Sequence, residues 1–191
     1  AITALTAQNT LGVHGVMPVP LDFLDRQIGV VLGDIGADCI KTGMLHDSGV
    51  IETVLAAVNR DAPDVPMVVD PVMVAKGGAA LLQDEAVVTL RNSLLPRAAL
   101  LTPNVPEAEA LAGRALAGAG DMEDLARALL DLGPKAVLLK GGHMDGAVVR
   151  DLLITQAGIR IFENQRIDTP HTHGTGCTLA SAIAAGIANG L

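Results

Sequence analysis

Four short apolar runs in this chain end alike. The stretches "DCIKTG", "MVVD", "ALLT" and "AVLLK" each run into a charged or hydroxyl residue followed by Gly or Pro. Helical patterns of roughly 10–15 residues separate them, the spacing of βαβ crossovers and a mainly parallel sheet under helices. Composition agrees, because 50% of residues are hydrophobic but only 1% aromatic. The core must then be Ala, Val, Leu and Ile, as in strands covered on both faces. A length of 191 residues suits one domain, so residues 1–191 are expected to form a single three-layer α/β/α unit.

Around these runs, "ITALTAQ" reads as a short strand. "PLDFLDRQIGVVLGDIG" reads as a helix with Leu21, Leu24, Ile28, Val31, Leu32 and Ile35 on an inward face, Pro20 in its first turn and Gly36 at its end. "DSGVIETVLAAVNR" is a helix capped by Asp47 or Ser48. "DEAVVTLRNSLL", "VPEAEALAG" and "DMEDLARALLDLG" follow as helices. "DLLIT" and "GIRIFE" make a hairpin around "QAG", and a small-residue helix that reads as buried closes the chain.

Charge and cysteine usage narrow the function. A net charge of -8 with scattered Lys and Arg argues against nucleic acid or an anionic membrane as partner. Cys39 and Cys177 stand far apart with no metal-like spacing, which favours a reducing, cytoplasmic setting. The start "AITALTAQNT" has no basic region of a secretory leader. The apolar tail after Cys177 is shorter than the ~20 residues of a membrane span. Both ends read as cut, because the first residue is not Met and the last are still helical in pattern.

In open α/β sheets, ligands bind beyond the carboxyl ends of the strands. There the four runs deliver "KTGM", "DPVM", "TPNVPE" and "KGGH", a set suited to a polyanion with a cation. Plainer roles stand beside this one. Lys41 would serve as a solvated strand end, Asp70-Pro71 as a turn, and Asn104 as a helix cap. Lys140 before two glycines is harder to reduce to structure.

The segment "HTHGTGCTLASAIAAGIANGL" supplies a helix start, where the first N–H groups lack internal partners and the helix dipole is positive. Gly174 and Gly176 let the backbone approach a phosphate. The same field is expected to lower the Cys177 pKa from about 8.5 toward roughly 3.5–7.5, so that Cys177 takes a proton from a hydroxyl beside a phosphoryl group. The alternative is a small buried apolar cysteine. His171 and His173 form an H-x-H pair without a third ligand at recognisable spacing, which favours loop hydrogen bonding over metal. His14 and His46 read as exposed, and Cys39 as core. Gln8, in "TAQNT", offers acceptor and donor side by side, matching an aminopyrimidine edge; an ordinary turn is the other reading.

The segments "ITALTAQNT", "IKTGML", "VVDPVMVAKGG", "LLPRAALLTPNVPEAEAL", "AVLLKGGH" and "THGTGCTLASAIAAG" resemble the hydroxymethylpyrimidine/phosphomethylpyrimidine kinases of thiamine biosynthesis, in the ribokinase-like group. The resemblance runs through nearly the whole chain in order. It implies a ribokinase-like fold and ATP- and Mg2+-dependent phosphorylation of 4-amino-5-hydroxymethyl-2-methylpyrimidine, then of its monophosphate to the diphosphate. It also implies a homodimer. By residue, it implies that Gln8 reads the pyrimidine edge while Met44 and Val72 pack on the ring. Cys177 would be the base, with Gly174, Thr175 and Gly176 in the anion hole. Asp70, Asn104 and Glu107 would surround the Mg-ATP phosphates, with Asp70 and Glu107 toward the metal. Lys140 would face the nucleotide, and Lys76 would reach the transferred group. The family's glycine-rich first segment and its helices after the "GTGC" helix are absent from this sequence, which predicts low or no turnover for a chain of these limits.

The rival readings are pyridoxal kinase, which shares the architecture, and a pyrimidine- or nucleotide-binding relative without turnover. A cysteine hydrolase lacks an acid partner for its His. A dinucleotide oxidoreductase lacks a GxGxxG after the first strand.

Overall fold

The computed structural model describes residues 1–9, 12–74, 80–116, 118–169 and 172–191. The apolar runs form the strands expected of them. β3 (Ile40–Thr42), β4 (Met67–Val69), β5 (Leu100–Leu101) and β6 (Ala136–Leu139) lie parallel and in that order. β7 (Val148–Thr155) and β8 (Gly158–Gln165) continue the sheet antiparallel, as the hairpin signal predicts. One strand departs from expectation. β1 (Ala4–Gln8) does not join this sheet; it pairs antiparallel with β2 (Val13–Pro18) in a two-stranded sheet of its own.

Strand side chains alternate between faces, and the two faces are covered unequally. Met67, Val69, Leu101, Val137 and Leu139 point into the larger core. That core is shared with α1 (Leu21–Asp34), α2 (Ser48–Asp61), α4 (Val105–Ala112) and α5 (Met122–Leu130). Val68, Leu100 and Leu138 face the other way, onto Ala180 and Ala184 of α6 (Thr175–Ala188). The small residues of α6 let its axis approach the sheet. Only those two alanines of α6 are buried, so it is a largely exposed helix rather than the buried one its composition suggests.

Two helices differ from their sequence pattern. Of the inward face expected for α1, Leu24 is fully buried, whereas Leu21, Val31 and Ile35 are exposed at 44%, 47% and 80%. Periodicity marks an apolar stripe but not whether anything covers it. The stretch "DEAVVTLRNSLL" is broken into α3 (Asp84–Thr89), a π turn (Leu90–Leu94) and a 3-10 turn (Leu95–Arg97). Pro96 has no N–H to give a continuing α-helix, so the chain leaves by a tighter turn. Asp47 caps α2 by accepting the Val50 N–H at 2.9 Å, one of the two caps expected there.

Candidate active site

Alternation carries Asp70, Thr102 and Lys140, at the strand tips, to the face of α6, each two residues past Val68, Leu100 and Leu138 on its strand, and Lys41 lies level with Val68 on the same face. Backbone bonds extend the ladder over these tips. The Asp70 N–H donates to Thr42 O at 3.1 Å, that of Thr102 to Val69 O at 2.9 Å, and that of Lys140 to Pro103 O at 2.9 Å.

Asp70 is the centre of the group. Its side chain is 3% exposed, and each oxygen faces an ammonium: Lys41 Nζ stands 3.5 Å from Oδ2 and Lys140 Nζ 3.3 Å from Oδ1. Thr102 Oγ1 donates to Oδ1 at 3.4 Å. Two cations thus share one buried carboxylate, which leaves positive charge at the tips of β3 and β6. Lys41 is more than the solvated strand end its position suggests. It folds back over Gly43, where a Cβ would stand 2.9 Å from its Nζ.

α6 begins against this cluster. Its N-cap Gly174 adopts the left-handed φ of 78° that favours glycine, and no side chain caps the first turn. The Thr175 N–H reaches back to Thr172 O at 3.5 Å, and the next N–H groups of the first turn have no intrahelical acceptor. A Cβ on Gly176 would stand 3.2 Å from Lys140 Nζ, so the absence of a side chain lets the lysine close on the helix start. Cys177 follows in the first turn.

The Cys177 thiol corrects the expectation of a lowered pKa. Lost hydration in the cleft pushes it up, and the Asp70 charge and a hydrogen bond with that carboxylate push the same way; Lys41 and Lys140 pull it down. The sequence shows the helix end but not the carboxylate that β4 brings beside it.

Asn104 and Glu107 form a capping box at the start of α4. Asn104 Oδ1 accepts the Glu107 N–H at 2.9 Å, and Glu107 Oε2 accepts the Asn104 N–H at 2.8 Å. The cap role considered for Asn104 is therefore present. Asn104 also bridges to Lys140 in parallel register, which places the cap beside the lysine. Burial pushes Glu107 up to about 6, with the Asp70 charge adding to the rise. The Asn104 and Met73 amides and Lys140 act against it.

All the described residues that the resemblance assigns to the site line one cleft of about 1530 Å³: Gln8, Met44, Val72, Asp70, Asn104, Glu107, Lys140, Gly174, Thr175, Gly176 and Cys177. Gln8 arrives from β1 of the separate hairpin and is exposed. Thr3 Oγ1 donates to Met44 O at 2.7 Å and ties the base of that hairpin to the loop after β3. Lys76 and His171 lie outside the described residues. His46 is half-buried, not exposed, with a φ of 59°. Cys39 is half-buried beneath α6 at the rim of the smaller core.

The magnesium implied by the resemblance suits this donor set. Asp70 and Glu107 present hard oxygens on one wall, close enough for the charge of one to raise the pKa of the other. Mg2+ is held by one or two carboxylates together with phosphates.

A model of the phosphomethylpyrimidine kinase family matches residues 1–191. A hydroxymethylpyrimidine/phosphomethylpyrimidine kinase of Bacillus subtilis is 46% identical over 191 residues, covering 100% of this chain and 70% of that protein. The crystal structure of a phosphomethylpyrimidine kinase from Clostridium difficile 630 superposes with a TM-score of 0.85 at 37% identity, covering 100% of this chain and 77% of that one. A pyridoxal kinase from Staphylococcus aureus, in complex with AMP-PCP and pyridoxal, gives 0.89 at 32% identity, covering 100% and 69%.

Proposed function

This chain belongs to the phosphomethylpyrimidine kinase family, a group of phosphotransferases of ribokinase-like fold, and we propose how its cleft carries out the transfer. The acceptor is the hydroxymethyl group of 4-amino-5-hydroxymethyl-2-methylpyrimidine or the phosphate of its monophosphate, and the donor is ATP. One observation carries the reading: Asp70, buried between Lys41 and Lys140, meets the uncapped start of α6 with Cys177 in its first turn.

In this arrangement Cys177 acts as the thiolate and takes the proton from the attacking hydroxyl; because lost hydration in the cleft raises its pKa, that form is the minority one until the thiol gives up its own proton. The amides from Gly174 to Cys177 hold the transferred phosphoryl oxygens where charge develops. Lys140 faces the nucleotide phosphates, Lys41 offsets charge on the acceptor side, and Asn104 orders the wall between them. Asp70 and Glu107 would hold Mg2+, which supplies charge neutralisation of the phosphates. At the other end Gln8 pairs with the ring nitrogen and amino group of the pyrimidine, and Met44 and Val72 pack on its faces. The unit comprises residues 1–191 as one domain and works in the cytoplasm as a homodimer, an assembly that light scattering tests. Among the described residues no helix is long and apolar enough to cross a membrane.

Pyridoxal phosphorylation is the second reading, favoured by the TM-score of 0.89 to a pyridoxal kinase. ATP consumption measured with each acceptor alone and in competition decides. Preference for the pyrimidine supports the first reading, preference for pyridoxal supports the second, and binding of the pyrimidine without ADP release in a full-length version would mark a non-catalytic relative.

A further inference from the structure

Arg166 follows β8 and has no part in the roles above. Its backbone N–H donates to Ala147 O at 2.8 Å. Its guanidinium donates to three alternate carbonyls of the same loop: Nε to Gly146 O at 2.7 Å, Nη1 to Gly142 O at 3.0 Å, and Nη2 to Met144 O. That loop, residues 141–147, leaves β6 directly after Lys140, and its Gly142 and His143 line the cleft.

Little else orders the loop. His143, Asp145, Gly146 and Ala147 are exposed, and Met144 is its one side chain against the core. Its entry is fixed: Asp151 Oδ1 accepts the Gly141 N–H at 2.9 Å, and a Cβ on Gly141 would stand 2.0 Å from Arg150 O. A turn follows, with the Met144 N–H on Gly141 O at 2.9 Å. Beyond that turn the loop converges on Arg166. A planar guanidinium with donors on three nitrogens can hold three carbonyls at once, which a lysine ammonium cannot do in the same plane.

We propose that Arg166 is a positioning residue for the nucleotide. It holds the loop after Lys140 as a fixed wall of the cleft, with one N–H of each guanidinium nitrogen given to a loop carbonyl. The proposal rests on the reading that nucleotide phosphates lie at the Lys140 end.

Amide hydrogen exchange and calorimetry test it, with ADP and 4-amino-5-hydroxymethyl-2-methylpyrimidine as separate probes, on the wild-type chain, Arg166→Ala and Arg166→Lys. In Arg166→Ala the amides of residues 142–146 should exchange faster while those of β6 stay protected. ADP Kd should rise about tenfold, with pyrimidine Kd within about twofold. Guanidinium ion at non-denaturing concentration should recover part of the ADP affinity. Arg166→Lys should fall between wild type and Arg166→Ala. Unchanged loop exchange, an unchanged ADP Kd, or equal losses for both ligands in Arg166→Ala and Arg166→Lys would overturn the proposal. Failure of the wild-type chain to bind ADP would overturn the site reading beneath it, whereas wild-type binding with unaltered variants would overturn Arg166 alone.

Discussion

The two ends of the cleft are built in different ways. At one end every polar group comes from the tip of a strand in the six-stranded sheet or from the start of α4 or α6. Their places follow from ladder register, and Asp70 is buried with both oxygens engaged. At the other end Gln8 sits on an exposed two-stranded hairpin, at a register shift between Ala7 and Gln8, outside the main sheet. Charge chemistry is therefore fixed by the core, and ring recognition is delivered by a separate element. Substitutions at the first end should alter rate and stability together or rate alone; those at the second should alter affinity for one ligand.

The largest effect expected is that of Cys177→Ala. Loss of a general base should lower phosphoryl transfer by roughly 10²–10⁴-fold. Affinity for both ligands should stay within a few-fold, because a base acts in the transition state. Single-turnover measurement with ATP and the pyrimidine, beside calorimetry, separates the two. Equal losses of binding and rate would mean that the sulfur only packs.

Asp70→Ala comes next. It leaves Lys41 and Lys140 facing each other without their shared counter-charge, and breaking a buried pair costs about 3–5 kcal/mol. Denaturant titration should show this, together with loss of transfer. Asp70→Asn should recover part of the stability and none of the rate. A stability change below about 1 kcal/mol in Asp70→Ala, the range of exposed pairs, would place the carboxylate in solvent and remove the contrast between the two ends.

This asymmetry also decided what could be read from the sequence. The polar tips were legible because each apolar run stops where the sheet stops, and parallel register does the rest. β2 was not, because "GVHGVMP" interrupts alternation with Gly and ends in Pro, and its residues are exposed or half-buried with none in a core. Lys41 was legible as a strand end but not as a partner of Asp70, since the pair joins residues 29 positions apart (41 and 70) through register alone. The direction of the Cys177 shift was hidden for the same reason. A helix start is a local signal, whereas the neighbouring carboxylate arrives from another strand. The exposed residues of α1 show the opposite limit, a strong local pattern with no structural partner to complete it.

Glu107 gives a smaller, pH-dependent test of the buried end. Its carboxyl is raised to about 6 from 4.5. The folded state therefore holds the proton more tightly than the unfolded chain, and stability should fall as pH rises from about 4.5 to about 6, then level off. A shift of this size corresponds to about 2 kcal/mol. Glu107→Gln keeps a side chain able to complete the capping box and removes the charge. The difference in stability between wild type and Glu107→Gln should thus move in favour of the variant across that pH window. A difference independent of pH would mean that the Glu107 charge is not desolvated.

Gln8→Leu should have the smallest effect and the most selective. Gln8 is exposed on the hairpin, so its removal should leave the denaturation midpoint unchanged, surface substitutions lying within about 0.5 kcal/mol. If Gln8 pairs with the pyrimidine edge, the variant should raise the KM of that substrate about tenfold, equivalent to about 1.4 kcal/mol, while the KM of ATP and kcat stay close to wild type. A matched fall in kcat would mean that the hairpin also aligns the hydroxyl with Cys177, which would join the two ends of the cleft into one device. An unchanged KM would remove Gln8 from recognition and leave Met44 and Val72 to hold the ring by packing alone.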